Sequence, residues 1–123
     1  MIRVLLALSL LTAYAGYSLL VYTSGTEAPA AERAWSEQAA SGKRLFQARN
    51  CAACHQVYGL GGYLGPDLTR AWSDPRRGPA YMRALLRSGG NRMPDFHFTP
   101  GEVECLLAYL RSVDASSHEQ SNR

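Results

Sequence analysis

The chain has 123 residues, 46% of them hydrophobic, and a formal net charge of +3. That length holds one small domain and an appendage, not two domains. So small a charge without a cationic stripe excludes a nucleic-acid-binding role. Three cysteines, an odd number, exclude a closed disulfide framework.

Val4 to Tyr22 contains no charged residue. As a helix this stretch spans about 28 Å, close to the ~30 Å hydrocarbon core of a bilayer. Arg3 precedes it, and no Lys or Arg follows until Arg33, so the positive-inside rule leaves the N-terminus in the cytoplasm and exports the rest. Residues 1–22 are therefore expected to form a transmembrane anchor, with Tyr22 at the outer headgroup boundary. The competing reading is a signal peptide cut after Ala13-Tyr14-Ala15, but apolar residues continue past that site. Both readings export the domain. Ser9, Thr12, Ala13 and Gly16 share one helical face, which suits a partner helix or ordinary membrane composition.

Residues 23–38 form the linker and the start of the first soluble helix, with Thr23 to Ala31 small, polar and bearing Pro and Gly. Leu45, Phe46 and Arg49 fall on a helical stripe that leads into a cysteine motif. Gln56 to Pro66 holds four glycines and no helical period, so a loop is expected. Pro79 opens a second helix and Gly89 suits its C-terminal cap. Ser88 to Phe98 reads as loop again. Thr99-Pro100-Gly101-Glu102 matches a capping box with Pro at the first helical position. Val103, Leu106, Leu107 and Leu110 then give a final helix its apolar face, ending near Val113. Residues 39–114 make up the domain and 115–123 a polar, frayed tail. No strand is expected. The fold class is all-α, with about three main helices joined by loops too long for so small a domain unless they pack on something.

Cys51-Ala52-Ala53-Cys54-His55 is C-x-x-C-H, the attachment signature of a c-type haem. Thiols at i and i+3 reach the two vinyl groups, and the next imidazole meets the iron. A zinc site would need a fourth ligand from Cys105, His97 or His118 with no second C-x-x-C. A thioredoxin-like pair would need a βαβ setting. One covalent haem accounts for the motif best. For the sixth iron position, Met93, before Pro94 and just ahead of the final helix, is the leading candidate. His97 is the alternative, and Met82 lies at core spacing on the second helix. A His55/Met93 pair fills both axial positions, so the iron passes electrons and binds no substrate. Trp72, Tyr63, Arg70, Arg76, Arg77 and Arg92 are candidates to meet the propionates. Cys105 reads as packing.

Gly65-Pro66-Asp67-Leu68 resembles the loop of class I cytochromes c. The resemblance implies that Pro66 C=O accepts a hydrogen bond from His55 Nδ1–H and that Leu68 packs on the histidine side of the haem. From Gly42 to Val113 the chain is similar to the small cytochrome c subunit of bacterial nitric oxide reductase. GKRLFQARNCAACH, GLGGYLGPDL, RRGPAYM and RMPDFHFTPGEVECLLAYL stand in family order. That resemblance implies a single-pass protein of the bacterial inner membrane with its haem domain in the periplasm. Its role would be to receive electrons from a soluble periplasmic donor, a cytochrome c or cupredoxin, and pass them to a large haem–copper-type catalytic subunit. It further implies a calcium ion at the subunit interface, held by backbone oxygens at Gly61 and Tyr63. The rival readings are the same module in another respiratory oxidase or quinol-oxidising complex, and a free membrane-tethered shuttle.

Overall fold

The computed structural model describes residues 1–25 and 35–121, with side chains described through His118. Of the expected linker, 26–34 lies outside the described residues, as do positions 122–123 of the expected tail. Helix α1 spans Ile2–Leu20 and runs into a π-helical turn at Val21–Gly25. Two of its hydroxyls bond to its own backbone: Ser9 Oγ donates to Leu6 O at 2.9 Å and Thr12 Oγ1 to Leu8 O at 2.9 Å. No polar side chain on that part of the helix therefore leaves a donor unmet in an apolar surround. By length and composition Ile2–Ser24 can cross a membrane.

Helix α2, Glu37–Ala48, starts at Ser36, whose Oγ accepts from Ala39 N–H at 3.1 Å. It buries Ala39, Gly42 and Phe46, spaced to share one face. Helix α3, Pro79–Ser88, has Pro in its first turn and ends at Gly89, whose φ of 68° is the left-handed value that favours glycine. Helix α4, Pro100–Ser121, begins at the expected capping box. Glu102 Oε2 accepts from Thr99 N–H at 2.8 Å, and Thr99 Oγ1 accepts from Glu102 N–H at 3.3 Å.

Helices α2 and α4 form the principal packing pair, and α3 lies against α4. The α2–α4 crossing depends on Gly42, because a Cβ there would overlap the Cys105 carbonyl. Val103, Leu106, Leu107 and Val113 of α4 are the largest fully buried side chains. Arg83 of α3 forks onto Glu104 of α4, with Nε at 2.9 Å from Oε1 and Nη2 at 3.0 Å from Oε2.

Two local expectations are corrected. The final helix does not end near Val113 but continues to Ser121. Tertiary contacts carry it through the polar stretch: Asp114 is buried and accepts from Ser73 N–H and Ser73 Oγ at 3.1 and 2.8 Å. Ser117 is also buried. The glycine loop, in turn, contains a small antiparallel hairpin, β1 Gln56–Val57 and β2 Leu60–Gly61. Two-residue strands are too short to leave an alternating pattern.

Candidate functional site

Cys51–Ala53 form a single 3₁₀ turn, entered through Asn50 in the left-handed conformation at φ 52°. The turn places the two cysteines three residues apart on a short rise. Both thiols are free and half-buried, and Cys51 packs against the edge of the core. Burial pushes the Cys51 thiol up from its ordinary value, favouring the protonated form.

The loop after the motif folds directly back over it. Gly62 N–H donates to Ala52 O at 2.9 Å, and Gly65 N–H to Cys54 O at 2.7 Å. The glycines are needed for this approach. A Cβ at Gly61 would overlap His55 O, one at Gly62 would overlap Ala53 O, and one at Gly65 would overlap the His55 ring. Leu68 N–H donates to Gln56 O at 2.8 Å, bringing Leu68 half-buried against the core.

His55 Nδ1 lies 2.9 Å from Pro66 O. A carbonyl can only accept, so Nδ1 carries the proton and Nε2 presents its lone pair. Nε2 has no protein partner among the described residues. Two free thiols at C-x-x-C spacing, a following imidazole with its metal-binding nitrogen unpaired, and glycine backbone instead of side chains beside that ring together fit a covalent haem.

Met93 is half-buried in the loop between α3 and α4. Its carbonyl accepts from Gly90 N–H at 2.8 Å, and Gly89 packs tightly on the same segment. Phe96 and Phe98 stack at 5.4 Å, and the Arg49 guanidinium lies 5.7 Å from the Phe98 ring centroid. The Phe98 end of this loop thereby meets Arg49 at the end of α2, two residues before Cys51. Met82 is buried in the core, as its helical spacing implied. The His97 side chain is 86% exposed and lies 3.3 Å from Asp95. Cys105 is half-buried on α4, beside Ser41, Arg44 and Glu102.

Tyr63 is 84% exposed, with Leu60 and Leu64 each 76% exposed beside it in the loop. Gly61 shares that loop but is tied to the motif by its close approach to His55 O. Trp72 is half-buried beneath the Arg111 guanidinium at 5.7 Å, while Arg70, Arg76, Arg77 and Arg92 are exposed.

Sequence reasoning missed a clamp behind Pro66. Asp67 Oδ1 accepts from Thr69 N–H at 2.7 Å and Thr69 Oγ1 at 2.5 Å. Thr69 Oγ1 accepts in turn from Tyr58 N–H at 2.7 Å. Tyr58, at φ 54°, sends its hydroxyl to Val113 O at 3.2 Å and to Ser116 of α4. Asp two residues before Thr is an Asx-turn pattern that the sequence does display. The link to α4 has no such signature.

Residues 37–110 match the family model described as cytochrome C oxidase, cbb3-type, subunit III. The chain is 28% identical over 91 residues to a nitric oxide reductase subunit of Halomonas halodenitrificans, covering 64% of this chain and 61% of that protein. It is 29% identical over 91 residues to a nitric oxide reductase subunit of Stutzerimonas stutzeri, covering 65% and 61%. The chain thus spans less than two thirds of the length of these relatives.

Proposed function

We propose, because this chain belongs to the cytochrome c family described as cytochrome C oxidase, cbb3-type, subunit III, that it is the membrane-anchored electron-entry subunit of a nitric-oxide-reducing complex. Haem c, the cofactor of a cytochrome c domain, supplies a one-electron Fe(III)/Fe(II) couple when bound. Cys51 and Cys54 would hold it covalently through their sulfurs, and His55 Nε2 would bind its iron. Met93 would supply the other iron ligand, a soft thioether that favours the reduced state. Pro66 holds the His55 ring in place through Nδ1–H, and Leu68 covers that side.

The observation that carries this reading is the His55–Pro66 contact at 2.9 Å, which orients an otherwise unpartnered Nε2 at the end of a C-x-x-C-H turn. A domain whose own residues fill both axial positions performs no chemistry on a gas and must pass its electron on. Helix α1 holds it at the membrane, where an integral partner would lie, with the N-terminus inside and the haem domain in the periplasm. The exposed Leu60, Tyr63 and Leu64 form an apolar loop tip suited to that catalytic partner. A calcium ion at the interface would be held on this side by backbone oxygens at Gly61 and Tyr63, with its remaining ligands from the partner.

The family description favours a second reading, the same module in an oxygen-reducing cytochrome oxidase. Purification in mild detergent through a tag placed after Arg123 separates the two. The first reading expects a large multi-helix haem protein to co-purify and the pair to consume nitric oxide with a chemical donor. A pair that consumes only oxygen favours the second. A chain that purifies alone is a free shuttle.

A further inference from the structure

Charge in the domain is strongly uneven. Between residues 70 and 92 there are six arginines against Asp74 alone, a formal +5. The remainder of 35–121 holds four Lys and Arg against seven Asp and Glu, a formal −3. A modest net charge therefore hides an uneven distribution of charge along the chain.

The positive segment is continuous in the chain: the turns before α3, helix α3 itself, and the turn that returns the chain to Met93. Helix α3 directs Met82 into the core, with Leu85 and Leu86 half-buried, and exposes Tyr81, Ala84 and Arg87. Ten residues of helix span about 15 Å, so the turns that carry the arginines at its two ends are a short helix apart. Of the six, Arg83 is committed to Glu104 at 2.9 Å and Arg77 lies 3.6 Å from Asp74. Arg70, Arg76, Arg87 and Arg92 are exposed and have no salt-bridge partner among the described residues. Arg92 directly precedes Met93, so the edge ends at the proposed axial ligand. Two haem propionates would neutralise at most two of these charges and leave the edge positive.

We propose that this arginine edge is the docking surface for a soluble electron-donor protein that is acidic where it meets the haem domain. The proposal rests on the electron-entry reading above and names the kind of donor. An edge of one sign beside the electron-entry point raises the encounter rate with a partner of opposite sign, and salt lowers it again. An anionic lipid surface is the other class of partner such an edge could meet. Donor docking is favoured because the arginine-rich segment runs directly into Met93, the proposed iron ligand.

The test uses the full haem-loaded chain in neutral detergent. It is mixed with two reduced soluble cytochromes c of matched potential, one of net negative and one of net positive charge. Stopped-flow absorption follows the second-order rate from low to physiological salt. The acidic donor is expected to react roughly tenfold or more faster at low salt, and the basic donor to show little or the reverse dependence. The triple variant Arg70→Gln/Arg76→Gln/Arg92→Gln should lose most of the acidic donor's salt-dependent rate at an unchanged reduction potential. Lys43→Gln/Arg44→Gln, outside the edge, should retain it.

Rates indifferent to salt and to the triple variant overturn the proposal. A variant that shifts the potential assigns these arginines to the propionates and also overturns it. So does one that weakens binding to phosphatidylglycerol vesicles while leaving the donor rate intact. Failure of the electron-entry reading registers elsewhere, as the absence of a co-purifying catalytic partner.

Discussion

Gly65 presses its backbone against the imidazole of His55 so closely that a Cβ at residue 65 would overlap Cε1 and Nδ1 of the ring. The next residue, Pro66, supplies the carbonyl that Nδ1 meets at 2.9 Å. Position 65 therefore governs both where the ring stands and what it bonds to. Gly65→Ala is expected to displace the ring, break the Pro66 contact and cost about 1–3 kcal/mol through overpacking. Haem incorporation and thermal unfolding check it together. A variant with normal haem content and unchanged unfolding temperature would contradict the contact.

Tyr58 ties the hairpin to α4 through its hydroxyl, with Val113 O at 3.2 Å, while its backbone N–H reaches Thr69. Tyr58→Phe removes only the hydroxyl and is expected to cost about 1 kcal/mol. Thr69→Val leaves Tyr58 N–H without its acceptor and removes one of the two bonds to Asp67 Oδ1, and should cost more, in the range of about 1–3 kcal/mol. Denaturant unfolding ranks the two. Equal stability of both variants and the parent would remove the clamp from the account.

The capping box makes stability pH-dependent with a definite sign. Bonds from Thr99 N–H and Thr99 O–H hold the Glu102 carboxyl below its ordinary value of 4.5, and the Arg83 fork does the same to Glu104. A carboxyl depressed on folding stabilises fully above its unfolded value, and loses that contribution as pH falls through the folded value. Stability should therefore be flat from neutrality down to about pH 4.5 and fall below it as far as these two carboxylates determine it. In Glu102→Gln the acid limb should shrink. An acid limb identical in variant and parent would mean that Glu102 is not held by Thr99.

How much of this was legible in the sequence differs by element. C-x-x-C-H, the Thr99–Glu102 capping box and the Pro79–Gly89 helix are local patterns, and each stands where spacing put it. Met82 reads as core from helical periodicity alone. The α4 extension past Val113 was not legible, because it depends on Ser73 bonding Asp114 across 41 positions. The glycine loop could be read as loop, but not its reason: Gly61, Gly62 and Gly65 look like flexibility until Ala52, Ala53 and His55 are seen behind them. Gly42 is similar. Its place in a helix lowers local propensity, and only the carbonyl of Cys105 explains it.

Met93 and Met82 make a discriminating pair. Met82 is buried at 6% exposure, so Met82→Ala should destabilise by about 2–5 kcal/mol while leaving the weak sulfur-to-iron absorption band of the oxidised protein in place. Met93→Ala should abolish that band and lower the potential with a smaller loss of stability. Loss of the band in the Met82 variant alone would transfer the ligand assignment.

The central claim is that His55 and Met93 saturate the iron, so that the domain carries electrons and leaves gas chemistry to a partner. Carbon monoxide added to the reduced, purified chain tests it most directly, because the gas binds ferrous haem only where an axial position is open. The account predicts a visible spectrum unchanged by the gas in the parent protein and a carbonyl spectrum in Met93→Ala. A carbonyl spectrum in the parent protein at neutral pH would contradict it.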